Sequence, residues 1–179
     1  MKHKANWDER GEIPEGRSQR TVFSLGTSRR SAEAFFDLLA EHNIRRLVDV
    51  RRFPTSSRFP HFNRSTLEIL AGEEGLEYFY LGDLLGGYRR GGYGRHLQTE
   101  QFQTGLRRLE ELTSQAPTTM LCAERFPWRC HRRFIAAALE ERGWQVIHII
   151  DPGRTWLAKK RAGDDEKDAR GQIELDLPR

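Results

Sequence analysis

Five short apolar runs, four of them followed by a turn and an amphipathic stretch, limit the fold of this chain more than any other feature. The runs are TVFSLG (21–26), RLVDV (46–50), LEYFYL (76–81), TTMLCA (118–123) and WQVIHII (144–150). Between them lie SAEAFFDLLAEH, TLEILAGEEG, QFQTGLRRLEELTSQ and CHRRFIAAALEERG. Phe35, Leu38 and Leu39 in the first of these, and Phe102, Leu106, Leu109 and Leu112 in the third, recur at helical spacing. Ser31 and Ser65 stand where helix N-caps are expected, and Gly143 where the last helix stops. Short strands that alternate with helices need crossover connections. The pattern therefore predicts a single-domain α/β fold with a mainly parallel five-stranded sheet and helices on both faces, a Rossmann-like three-layer sandwich.

Residues 1–19 are polar and without period, and so is the charged stretch 158–179; both read as solvated ends of a domain at 20–157. No apolar run is long enough to cross a bilayer, and the first residues carry no apolar signal core. A soluble, cytoplasmic protein with no membrane partner is expected. Two cysteines do not make a disulfide framework, which agrees with a reducing compartment.

In an open α/β sheet, ligands bind outside the carboxyl ends of the strands. The chain has 30 basic residues, and five lysines leave 25 arginines. A general preference for arginine would scatter them over the helices. Instead 13 of the 25 fall on the loops leaving the strand ends or on the first turn of the last helix, against the acids Asp49, Asp83 and Glu124. That concentration predicts an electropositive edge suited to phosphate or carboxylate.

Three segments at this edge carry candidate chemistry. DVRRFPTSSRFPHFNRS joins Asp49 and Arg51 to Phe53, Phe59 and Phe62, a mixture that can grip phosphate and stack on a base, or can simply pack the loop down. LGDLLGGYRRGGYGRH is glycine-rich without P-loop or dinucleotide spacing; it offers backbone for close approach, with Tyr88, Tyr93 and Arg89, as a lid or as a merely flexible loop. LCAERFPWRCHRR holds both thiols. If Cys130 and His131 begin the last helix, its amides and dipole, with Arg129, Arg132 and His131, favour a thiolate at Cys130. Cys130 also fits the apolar stripe of that helix as an ordinary core residue. A metal site is not expected, because adjacent helical side chains diverge by about 100° and there is no CxxC or HxxxH pair.

SLGTS (24–28), LVDVRRFPTSSRFPHFN (47–63), GLEYFYLGDLLGG (75–87) and LCAERFPWRCHR (121–132) resemble the bacterial and archaeal family called domain of unknown function 488. The resemblance implies a compact α/β fold. It singles out Asp49, Arg51, Pro54, Ser56, Gly86, Gly87, Cys122, Glu124, Cys130, His131 and Arg132 as motif positions, and it assigns no reaction. Where the family often has a histidine after the first glycine, this chain has Thr27.

These readings combine into one expected strand-end cleft that binds an anionic small molecule, a nucleotide or nucleic acid. As an enzyme it would be a cysteine-dependent transferase or hydrolase, with Cys130 as nucleophile, His131 or Glu124 as acid/base and Asp49 as the group orienting Arg51 or a substrate hydroxyl. Arg51, Ser56, Gly86, Gly87, Arg89, Arg132 and Cys122 would contact the ligand, without cofactor or metal. The alternative is a non-catalytic nucleic-acid-binding module that uses the same arginines and aromatics. Oligomeric state is not legible.

Overall fold

A computed structural model describes residues 20–157 of the chain. The stretches expected as leader and tail, 1–19 and 158–179, lie outside the described residues. The strands are β1 (Thr21–Gly26), β2 (Arg46–Asp49), β3 (Glu77–Tyr80), β4 (Thr118–Cys122), β5 (Gln145–Asp151) and β6 (Arg154–Trp156). The helices are α1 (Ala32–Glu41), α2 (Arg64–Glu73), α3 (Gly82–Leu85), α4 (Tyr93–Leu97), α5 (Glu100–Gln115) and α6 (Arg132–Glu141). One sheet runs β3-β2-β4-β1-β5-β6. Its first five strands are parallel and β6 is antiparallel to β5.

The sheet thus has six strands rather than the expected five. Residues 151–154 turn the chain back through Gly153, at φ +64°, and a strand of three residues is too short to show alternation in sequence. The glycine-rich segment is not a bare loop either, since α3 and α4 lie inside it.

Helix α1 begins as expected, with the Ala34 amide donating to Ser31 Oγ at 3.1 Å. The second helix does not: Asn63 is its N-cap and Ser65 lies inside it. Helix α6 begins at Arg132, with His131 as N-cap, so Cys130 precedes it in extended conformation at φ −127°, ψ 151°.

Alternate residues of each strand face opposite sides of a sheet, and the core divides accordingly. On one side Phe23, Leu25 and Leu47 pack under Phe35 and Leu39 of α1 and Leu67 of α2. On the other, Val22, Val48, Met120 and Val146 pack under Leu106 and Leu109 of α5 and Ile135 and Leu139 of α6. Each fully buried leucine or phenylalanine contributes roughly 1.5–3 kcal/mol, so this periodicity fixes which way every strand faces. The central strand β4 sends its carboxyl-end loop to α6, while its neighbours β1 and β2 send theirs to α1 and α2 on the other side. In open α/β sheets, ligands bind where such connections part, and here Cys122, Gly26 and Asp49 end the three strands at that point.

Candidate functional site around Cys130

Cys122 is the last residue of β4, on the side of Met120, which points its sulfur toward α6. The chain then runs over the end of β1, where Glu124 O lies so close to Gly26 that a Cβ there would sit 1.9 Å from it. A 3-10 turn at Pro127–Arg129 closes this excursion, and the Cys130 amide donates to Pro127 O at 3.0 Å. Extended backbone at Cys130 followed by helical backbone at His131 swings the two neighbouring side chains together. The divergence expected of adjacent helical residues does not arise. His131 Nδ1 lies 3.7 Å from Cys130 Sγ and 3.8 Å from Cys122 Sγ. The second ring nitrogen, Nε2, is 3.0 Å from Val50 O. A carbonyl only accepts, so Nε2 carries a proton, and Nδ1 is the ring nitrogen that faces both sulfurs.

Arg132 completes the group. Its Nε donates to Cys130 Sγ at 3.4 Å and its backbone amide, the first of α6, points to the same sulfur at 3.5 Å. Its other nitrogens donate to Ser24 Oγ at 2.8 Å and to Glu124 O. The residue is 0% exposed and has no carboxylate partner among the described residues. A fully buried guanidinium demands an anion, and the Cys130 sulfur is the acidic group it touches. The Cys122 thiol, donating toward Cys130, together with His131 and Arg132, holds Cys130 well below the ordinary thiol range against the opposing effect of burial. The same hydrogen bond, reinforced by burial and by the charge on Cys130, pushes Cys122 up. One sulfur is thus the thiolate and the other its donor.

Two buried polar residues that sequence reading passed over support this cluster. Ser24 and His148 face each other across β1 and β5, each a polar interruption of an apolar run, which is the signal that could have found them. Burial, then Arg132, pushes the His148 imidazole down to about 3, so it stays neutral; its Nδ1 is buried without a hydrogen-bond partner among the described residues. Tyr93 of α4 lies 5.4 Å from the His131 ring and donates to Leu85 O at 2.6 Å. Gly87 faces His131 so closely that a Cβ there would stand 3.1 Å from Nδ1.

The remaining expected residues fall elsewhere. Asp49 sits on the α1/α2 side of the sheet, fully buried, where Arg51 Nε reaches its carboxylate at 2.9 Å, Arg51 N donates at 3.0 Å and Tyr78 Oη at 2.7 Å. Arg51 Nη1 donates to Phe62 O at 2.7 Å, so the pair ties the long loop after β2 to the strand end. It adjoins the thiol cluster through Val50, the residue between its members, whose carbonyl orients His131. Ser56 is spent on the same loop, its Oγ accepting from the Phe59 amide at 3.0 Å. Arg89 staples the glycine-rich segment, with Nε on Gly86 O at 2.8 Å and Nη2 on Asp83 O at 2.7 Å. Gly86 fits where a Cβ would meet Gly82 O at 2.3 Å. Glu124 contributes its backbone carbonyl, and its side chain is exposed.

The arginines expected to hold phosphate, Arg51, Arg89 and Arg132, are thus consumed by the fold. Arg29, Arg58, Arg90, Arg95 and Arg129 are exposed and have no carboxylate partner among the described residues. Of these, Arg129 precedes Cys130 in the chain, and Arg90 and Arg95 lie within three residues of Tyr93, whose ring packs on His131. No helix among the described residues is long and apolar enough to cross a membrane.

Residues 31–139 match the family model described as Domain of unknown function DUF488. No curated protein and no solved structure matches the chain.

Proposed function

We infer the activity from the chain's own side chains, because the chain belongs to the DUF488 family and the description of that family names no reaction. The reading is a cysteine-dependent group-transfer or hydrolytic enzyme for an anionic substrate. One observation carries it: a fully buried Arg132 without a carboxylate partner among the described residues donates to the Cys130 sulfur. An arginine held this way stabilises a nucleophile rather than a core thiol.

Cys130 Sγ attacks the electrophilic carbon or phosphorus of the substrate and the bond to the leaving group breaks. His131, fixed by Val50 O, carries a proton on Nδ1 to the leaving group and takes one back from the water or acceptor that releases the Cys130 adduct. The electron pair that leaves with the first product is replaced in the second step by that of the acceptor, so no oxidant or metal is consumed. Arg90, Arg95 and Arg129 supply the positive rim that draws the anion. Glu124 and the Asp49–Arg51 pair act by placing backbone, not by touching the reacting atoms.

Site-resolved labelling tests this. In the metal-free full-length chain at neutral pH, iodoacetamide is expected to modify Cys130 before Cys122, and inorganic phosphate or oligonucleotide to slow it. Labelling of Cys122 first, or of neither thiol before unfolding, overturns the nucleophile.

A second reading rests on a separate observation. Phe126 and Trp128 stack at 4.9 Å, Trp156 abuts Trp128 at 5.6 Å, and Arg125 lies over Phe126. Such a shelf suits base stacking by a non-catalytic nucleic-acid-binding module. Single-stranded binding that falls steeply with salt and survives Cys130→Ser favours it over the enzyme.

A further inference from the structure

We propose that Cys122, Cys130 and His131 Nδ1 form a three-ligand site for a soft divalent cation of the zinc class. Among the described residues, they are the one group of three metal-ligating side chains whose donor atoms converge, all within 4.8 Å of one another. Tetrahedral zinc, with bonds of about 2.3 Å to sulfur and about 2.0 Å to nitrogen, sets sulfur and nitrogen about 3.5 Å apart and two sulfurs about 3.8 Å apart. The sulfur-to-Nδ1 separations, 3.8 and 3.7 Å, already stand near that value.

The surroundings supply a second, independent observation. A metal-bound imidazole commonly gives its other N–H to a carboxylate or backbone carbonyl, which fixes ring and tautomer. Val50 O does this for His131 at 3.0 Å. The Arg132 amide and Nε, which donate to Cys130 Sγ, are the hydrogen bonds that a metal thiolate accepts. Three protein ligands leave a fourth position open, the pattern of exchangeable zinc sites. Two thiolates balance the charge of the ion, and Arg132 then leaves the loaded cluster with a single positive charge. The fourth ligand is therefore an anion: hydroxide, a carboxylate or a phosphate oxygen.

This goes beyond the nucleophile reading and constrains it, since a sulfur bound to metal is withheld from an electrophile. Metal and alkylating agent compete for Cys130, and Cys122 serves the two ideas differently: the metal needs its sulfur as a ligand, the thiolate only a hydrogen-bond donor, which a serine hydroxyl can also be.

Cobalt(II), titrated alone into the full-length reduced chain, reads out ligation directly. One cobalt per chain is expected, with an intense thiolate-to-cobalt absorption and the ligand-field pattern of a tetrahedral ion, both abolished by zinc(II). Cys122→Ser and His131→Ala are each expected to weaken binding at least about 10-fold, with circular dichroism verifying their fold. No thiolate band, or a band that survives either substitution, overturns the metal site. In that case labelling of Cys130 in the metal-free chain still stands. A cobalt thiolate band in a chain whose metal-free Cys130 does not label keeps the metal site and removes the nucleophile.

Discussion

The pairing of Arg132 with Cys130 is open to a double-mutant cycle. Arg132→Met removes the buried charge at similar volume. It strips the donors from Cys130 Sγ, Ser24 Oγ and Glu124 O, and breaking a buried pair from one side costs about 3–5 kcal/mol. Cys130→Ala leaves the guanidinium buried without its anion and belongs to the same class of loss. The double variant carries neither charge; only the Ser24 hydroxyl and Glu124 carbonyl lack a donor, about 1–3 kcal/mol in all. The two substitutions together are thus expected to cost at least about 3 kcal/mol less than the sum of their separate effects. Urea unfolding of the four full-length, metal-free chains at neutral pH measures this, with a common slope required for comparison. Additivity to within about 0.5 kcal/mol, the behaviour of residues that do not interact, would refute the claim that Cys130 is the counter-ion of Arg132.

His148 gives a pH test. Its folded pKa, near 3, lies below that of an unfolded histidine, so its contribution to stability is complete above about pH 6.5 and is lost as the pH falls toward 3. About 2 kcal/mol should vanish between pH 7 and pH 5, and His148→Phe should flatten that slope relative to the parent; an unchanged slope contradicts the neutral, buried imidazole. Gly26→Ala drives a Cβ into Glu124 O and should cost about 3 kcal/mol, whereas Gly72→Ala, in α2 with nothing within 4 Å, should stabilise by about 0.5–1 kcal/mol; thermal unfolding ranks the two. Asp49→Ala leaves Arg51 buried without its carboxylate and should cost about 3–5 kcal/mol, read by urea unfolding.

The sheet was legible because each strand is a short apolar run and each long helix shows its stripe. Leu106 and Leu109 announce α5 as clearly in sequence as in the fold. Strand β6 was not, since three residues after a turn cannot show a period. Arginine concentration marked one edge of the sheet but not which of its arginines are bonded within the fold. Which guanidinium is free depends on carbonyls such as Phe62 O and Asp83 O, brought there by tertiary folding. The site was legible as one segment, Cys122 to Arg132, yet its grouping with Asp49 and Arg51 failed to register the pleat, which sends Asp49 and Cys122 to opposite sides of the sheet. The convergence of Cys130 with His131 turns on a single extended residue at the helix boundary, a backbone detail that helical periodicity does not encode.

The state of one sulfur tests the central claim most directly. Thiolate ultraviolet absorbance of the folded, metal-free chain at neutral pH should amount to one thiolate per chain, disappear in Cys130→Ser and persist in Cys122→Ser. Absorbance that appears only above the ordinary thiol range, or that survives Cys130→Ser, would contradict a thiolate held at Cys130 by Arg132.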